Sequence, residues 1–165
     1  MPRLLVVHQS PSRSMNVLTD AVIAGAGDPL IEGVEVAVRP ALEATAEDVL
    51  AADGYVLGTT ANFGYMSGAL KHFFDTTFLK VGGQLDDKGG ATEQPAGATA
   101  KRPFGLYVHG RYDTTGAVRS VLSITGALGW RQAAALLEIL GDVDDSAKEA
   151  AYELGATIAA QLMTA

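Results

Sequence analysis

Two short apolar runs, uninterrupted rather than alternating, decide most of what this chain can fold into. They are Leu4-Leu5-Val6-Val7 and Tyr55-Val56-Leu57-Gly58. A strand with one wet face alternates apolar and polar residues; a strand covered on both faces reads as a continuous apolar run, the mark of a parallel sheet between helices. The segments between agree. Leu18, Ala21, Val22 and Gly25 recur at helical spacing and predict a helix from about Met15 to Ala26. Val34 to Val38 reads as a second strand. Ala46 to Ala52 reads as a short helix opened by Thr45, with Asp48 three residues on in a variant of the capping box. Met66, Leu70, Phe73, Phe74 and Phe78 share one helical face, Phe104 to His109 forms a fourth strand, and Val118, Val121, Leu122, Thr125 and Leu128 mark a fourth helix. A weaker strand near Gln132 to Ile139 precedes a last helix carrying Ala151, Leu154, Ile158 and Leu162. Five strands alternating with five helices predict a doubly wound α/β fold.

Length agrees with one such domain over residues 1–165. One stretch breaks the rhythm: Lys80 to Lys101 is rich in Gly, Ala, Thr and Asp. Irregular connections this long are uncommon in compact domains. The segment is either a passive surface excursion or a pocket rim or subunit contact.

Charge and cysteine usage narrow the function classes. Lys and Arg number 12 against 19 Asp and Glu, a formal charge of −7, and an acidic surface repels phosphate backbones; a nucleic-acid partner is not expected. The absence of cysteine removes thiol nucleophiles, iron–sulfur ligation and Cys-based zinc sites. Leu4 to Val7 is too short an apolar run for a signal peptide, and no stretch is long enough to span a bilayer. The expectation is a soluble, cytoplasmic protein without membrane insertion.

In an open α/β sheet, ligands bind beyond the carboxyl ends of the strands. Three chemically unusual loops leave that edge. His8 to Asn16 runs into a helix and carries Ser10, Ser12, Ser14 and Asn16. Short hydroxyl and amide donors beside free helix N–H groups make a cradle for a phosphate monoester, although a serine-rich helix cap needs no ligand. Neither G-x-G-x-x-G nor a P-loop is present, and His8-Gln9 stands where a receiver domain needs paired acids. Thr59 to Gly68 sets Phe63-Gly64-Tyr65 on a loop, which suits stacking on a flat ring; the alternative is that Phe63 plugs the sheet edge. His109 to Gly116 again combines glycine with an aromatic and polar donors.

Together these loops resemble the flavodoxin-like FMN proteins, in particular the NADPH-dependent FMN reductases and the WrbA-type NAD(P)H:quinone oxidoreductases. Gly58-Thr59-Thr60-Ala61-Asn62-Phe63-Gly64-Tyr65-Met66-Ser67-Gly68 is similar to that family's G-[ST]-P-x-[RY]-[FNW]-G-x-[MPI]-S-G loop, with Thr60 in place of the proline. Ser10-Pro11-x-Arg13-x-x-Asn16 resembles its phosphate loop, with Met15 and Val17 in place of smaller or hydroxylated residues. The resemblance implies a three-layer sandwich around a five-stranded parallel sheet of order 2-1-3-4-5. It implies that Ser10, Ser12, Asn16 and Val17 hold the FMN phosphate. Thr60, Ala61, Asn62, Phe63 and Gly64 would line the isoalloxazine and ribityl chain, and His109, Gly110 and Asp113 its pyrimidine edge. The implied activity is electron transfer from NAD(P)H to a quinone or similar planar acceptor, centred on the flavin with no side-chain acid or base required. Two rivals stand beside it: a flavodoxin-type electron carrier whose acidic surface meets a basic partner, and a flavin-free interaction domain on the same fold. A homodimer and a homotetramer both remain open.

Weaker candidates read more simply. His8 and His109 end strands at one edge with Asp113 near, but such histidines are more often structural than metal ligands, and no metal is expected. Ser10 lacks a nucleophile elbow. Trp130 reads as a core or interface aromatic, and Asp142, Asp144 and Asp145 as the acidic cap of the last helix.

Overall fold

The computed structural model describes residues 1–92 and 97–163. Along the chain it sets β1 (Arg3–His8), α1 (Arg13–Ala26), β2 (Glu35–Pro40), α2 (Ala46–Ala51), β3 (Gly54–Asn62), β4 (Tyr65–Met66), α3 (Gly68–Thr77), β5 (Pro103–Gly110), α4 (Thr115–Ala127), β6 (Arg131–Gln132), β7 (Leu137–Leu140) and α5 (Asp145–Met163). The sheet path is β2-β1-β3-β5-β6, with β7 also on β5 and β4 on β3. All pairs are parallel except β3–β4.

The expected five-stranded order, 2-1-3-4-5, is corrected to these seven strands for two physical reasons. First, β3 runs on to Asn62 and the chain folds straight back. Ala61 pairs with Met66 and Asn62 with Tyr65 across a two-residue loop, Phe63-Gly64. Both loop residues have positive φ, 52° and 81°, the combination that matches the twist of a tight hairpin. Second, the weak strand expected over Gln132 to Ile139 is split. Arg131–Gln132 pairs with Pro103–Phe104 and Leu137–Leu140 with Tyr107–Gly110, so four residues of the outer strand bulge past two of β5.

Period two along β1 builds the layers. Leu4 and Val6 enter one core with α1 and α5; Leu5 and Val7 enter the other with α2, α3 and α4. The Thr45–Asp48 capping box is formed in both directions. Among the described residues no helix is long and apolar enough to cross a membrane.

Trp130 is a core aromatic, stacked on Tyr55 with ring centroids 4.0 Å apart. Its indole N–H donates to Thr99 Oγ1 at 2.9 Å, and that hydroxyl donates to the Val81 carbonyl at 2.7 Å. The described part of the 80–101 excursion is therefore tied to the core at Thr99. It also holds a turn in which Asp86 accepts from the N–H groups of Lys88 and Gly90. Residues 93–96 of that excursion lie outside the described residues. Thr99→Val leaves the buried indole N–H without its acceptor and is expected to cost about 1–3 kcal/mol in urea unfolding. A change below the error of that experiment would show that the excursion is not anchored through Thr99.

Candidate functional site

Beyond the carboxyl ends of β1, β3 and β5 the three loops meet around a groove of about 790 Å³. Its walls are Pro11, Ser12 and Ser14, then Thr60, Ala61, Asn62, Phe63 and Gly64, then His109 through Asp113. The groove sits where connections leave β1 toward β2 on one side and β3 toward β5 on the other, the switch point of the sheet.

At one end lies the start of α1. Ser12 is its N-cap, and Ser12 Oγ accepts from the Met15 N–H at 3.2 Å, which leaves the hydroxyl hydrogen unspent. The Arg13 and Ser14 N–H groups find no acceptor among the described residues, as the first turn of a helix dictates. Asn16 is used within the loop: its amide donates to the carbonyls of Ser10 at 3.2 Å and Ser12 at 2.8 Å. Ser10 Oγ lies 2.8 Å from both His8 Nδ1 and Thr19 Oγ1. Of the four residues expected around a phosphate, Ser12 lines the groove, whereas Ser10, Asn16 and Val17 do not. Pro11 and Ser14 line it instead.

All five residues expected from the second loop line the groove. Thr60 Oγ1 donates to Asn62 Oδ1 at 2.8 Å, and Thr59 Oγ1 accepts the Ser67 N–H at 2.9 Å, which ties the hairpin to the start of α3. Phe63 is wholly exposed, so it does not plug the sheet edge. Its left-handed backbone, rare for an aromatic residue, holds the ring out at the rim. A Cβ on Gly116 would stand 2.1 Å from the Gly64 carbonyl oxygen; only a glycine there lets α4 support the hairpin.

The third loop contributes His109, Gly110 and Asp113 to the lining, and also Arg111 and Tyr112. His109 is buried, and its Nε2 donates to the Gly141 carbonyl at 2.7 Å; in the neutral ring this leaves Nδ1 as an acceptor. Asp113 Oδ1 accepts the Thr115 N–H at 2.9 Å, a bond that pulls its carboxyl below the usual range. Arg111 reaches Asp142 at 3.0 Å in an exposed pair of little energetic weight. Tyr112 is 92% exposed. Pro11, Ser14, Arg111 and Tyr112 were visible in the sequence as loop neighbours, but no spacing rule marks which loop residues face a groove. His8 Nδ1 and His109 Nε2 are engaged with Ser10 and Gly141, and no group of three or more candidate metal ligands occurs among the described residues.

The donor set fits a phosphorylated flat ring. Hydroxyl and helix N–H donors at the start of α1 share the groove with the exposed Phe63, with Gly64 and Gly110, and with the His109 ring. A Cβ on Gly110 would come within 3.2 Å of the Ala61 and Thr114 side chains, so this part of the wall has little room for a side chain.

Comparison with known proteins speaks to the family and the fold. The model of a family described as NADPH-dependent FMN reductase matches residues 17–135. A flavodoxin from Aquifex aeolicus (strain VF5) is 35% identical over 88 residues, a stretch that is 53% of this chain and 46% of that protein. The match therefore spans less than half the length of that curated relative. A flavodoxin structure from the domain Archaea superposes with a TM-score of 0.78 at 16% identity, over 98% of this chain and 99% of that one. The flavodoxin, WrbA-like protein from Agrobacterium tumefaciens gives 0.73 at 15% identity over 99% of both chains. At these identities the structural likeness speaks for the fold.

Proposed function

The chain belongs to the NADPH-dependent FMN reductase family, and from that premise we propose that it binds FMN in the groove and passes electrons from NAD(P)H to a quinone or similar planar acceptor. The observation that carries this reading is the convergence, on one groove, of a phosphate-type helix start with an exposed aromatic hairpin. FMN bound here would supply the redox chemistry, taking electrons from the nicotinamide and passing them on to the acceptor. The residues of the chain bind and expose it. The hydroxyls of Ser12 and Ser14 and the N–H groups of Arg13 and Ser14 donate to the phosphate, where the positive end of α1 favours negative charge. Ala61, Gly64 and Gly110 give the ring a flat seat, and His109 Nδ1 offers an acceptor to the pyrimidine N–H. Phe63 and Tyr112, standing free of the core, form the apolar mouth through which a flat substrate arrives.

The electron-carrier reading is the second one, favoured by the flavodoxin relative. The two separate kinetically. In the oxidoreductase reading, stopped-flow mixing of the FMN-loaded protein with NADH or NADPH bleaches the flavin within seconds. Phe63→Ala then lowers quinone turnover more than FMN affinity, because the phosphate contacts are untouched. No bleaching over many minutes, with rapid reduction by a flavodoxin reductase, rejects the enzyme.

A further inference from the structure

A chain of hydrogen bonds leads into the core past Ser10, the half-buried neighbour of Pro11 on the groove wall. His8 Nδ1, at the end of β1, lies 2.8 Å from Ser10 Oγ; Ser10 Oγ lies 2.8 Å from Thr19 Oγ1; Thr19 Oγ1 lies 2.7 Å from the Tyr107 hydroxyl. Thr19 and Tyr107 are buried, with no other hydrogen-bond partner for either side chain among the described residues, while Ser10 is half-buried. The Tyr107 ring occupies the space a side chain at residue 58 would need, since a Cβ on Gly58 would stand 2.1 Å from it. The chain's far end is therefore fixed by packing.

Counting hydrogens shows what this chain can do. It has three bonds, and each hydroxyl brings one hydrogen. When His8 Nδ1 is bare, Tyr107 donates to Thr19, Thr19 to Ser10, and Ser10 to His8; every hydrogen is used, and Ser10 has none for a ligand. When His8 Nδ1 carries a proton, it donates to Ser10 Oγ, Tyr107 and Thr19 keep their directions, and the Ser10 hydrogen is released. The reverse direction from Ser10 inward is closed, because it would leave the buried Tyr107 O–H without an acceptor.

Resting on the FMN reading above, we propose that His8 is a positioning residue for the phosphate: binding of the phosphate monoester turns the Ser10 hydroxyl outward and makes His8 a donor at Nδ1. Without ligand the bare Nδ1 is the state in which all three hydroxyl hydrogens are paired within the chain. Burial, with the Asp20 carboxylate opposing, lowers the His8 pKa and so disfavours the doubly protonated ring. The other groups around His8 do not replace the phosphate in this exchange. Tyr107 on β5 is held protonated by burial. Arg39 on β2 is in register with Val7, which belongs to the opposite core, and pairs there with Asp48. The register neighbour on β3 is the uncharged Gly58. Ser10 does not line the groove, but it adjoins Pro11, which does. Once its hydroxyl turns outward, a phosphate on Ser12 and Ser14 accepts the released hydrogen and adds negative charge two hydrogen bonds from the ring, so both parts of the exchange favour the protonated nitrogen.

The test reads the ring directly. Two-dimensional nitrogen–proton NMR of the full chain at pH 7.5, without ligand, should show His8 Nδ1 as a bare, acceptor nitrogen. Saturating FMN should move that nitrogen to the protonated range. Riboflavin, which lacks the phosphate, should leave it bare. In Ser10→Ala the FMN-loaded protein should keep Nδ1 as it is without ligand. An unchanged ring in the FMN complex, an identical change with riboflavin, or a persisting change in Ser10→Ala would each overturn the inference while leaving FMN binding intact. Failure of the parent to bind FMN at all would reject the proposed function, and this inference with it.

Discussion

Gly155→Val should remove more than about 3 kcal/mol of stability, the upper end of what overpacking costs. A Cβ on Gly155 would lie 2.0 Å from the Val22 carbonyl oxygen, and one on Gly25 would lie 1.9 Å from the Tyr152 carbonyl oxygen. At two points, then, α1 and α5 meet backbone against backbone. A backbone carbonyl cannot rotate away as a side-chain tip can, so the helices must part. Separation opens the contacts of Leu18, Val22, Leu154 and Ile158 on that side of the sheet. The gain from replacing a helical glycine, about 1 kcal/mol for alanine and less for valine, does not offset this. Against a typical domain stability of about 5–15 kcal/mol the loss is a large share. Urea unfolding measures it. Gly25→Ala alone should also destabilise, but the pair should cost less than the two single effects added, because one bulky contact already parts the helices. A loss below about 1 kcal/mol for Gly155→Val would show that α1 and α5 do not pack this closely in solution.

Ser12→Ala combined with Ser14→Ala should weaken FMN binding by about 100-fold or more and riboflavin binding by only a few-fold. Hydrogen bonds to a charged group contribute about 1.5–3 kcal/mol each, and two of them correspond to roughly 10²–10⁴ in affinity. Ser12 also caps α1, so the double variant should lose about 1 kcal/mol of stability without unfolding. Flavin-fluorescence titration with both ligands separates the effects. Equal losses for FMN and riboflavin would mean that the variant distorts the loop rather than removing phosphate donors.

Much of this was legible in the chain. Continuous apolar runs placed β1 and β3, helical spacing placed α1, α3, α4 and α5, and Thr45 with Asp48 placed α2. The β3–β4 hairpin was missed because Phe63-Gly64 lacks the Asn-Gly or Asp-Gly signature of such turns; a phenylalanine at positive φ is not anticipated from propensity. The split outer strand was read as one because periodicity over Gln132 to Ile139 does not record that the register on β5 shifts midway. Ser10 and Asn16 look the same in the sequence as Ser12 and Ser14. Only the fold shows that the first two are engaged with His8, Thr19 and the loop carbonyls, while the others line the groove.

The sequence by itself determined the alternation of elements, the parallel core and the three loops at which chemistry gathers, because patterning and capping are local and are written within a few residues. Tertiary structure alone decided which donors are spent and which are free. It decided that Gly25, read in the sequence as one more residue of an apolar helix face, is a point of backbone contact with α5. It also joined His8 to Tyr107 through two hydroxyls from different elements. Hydrogen bonds and close packing depend on distances between residues far apart in the chain, and those distances exist only once the sheet has brought its strands together.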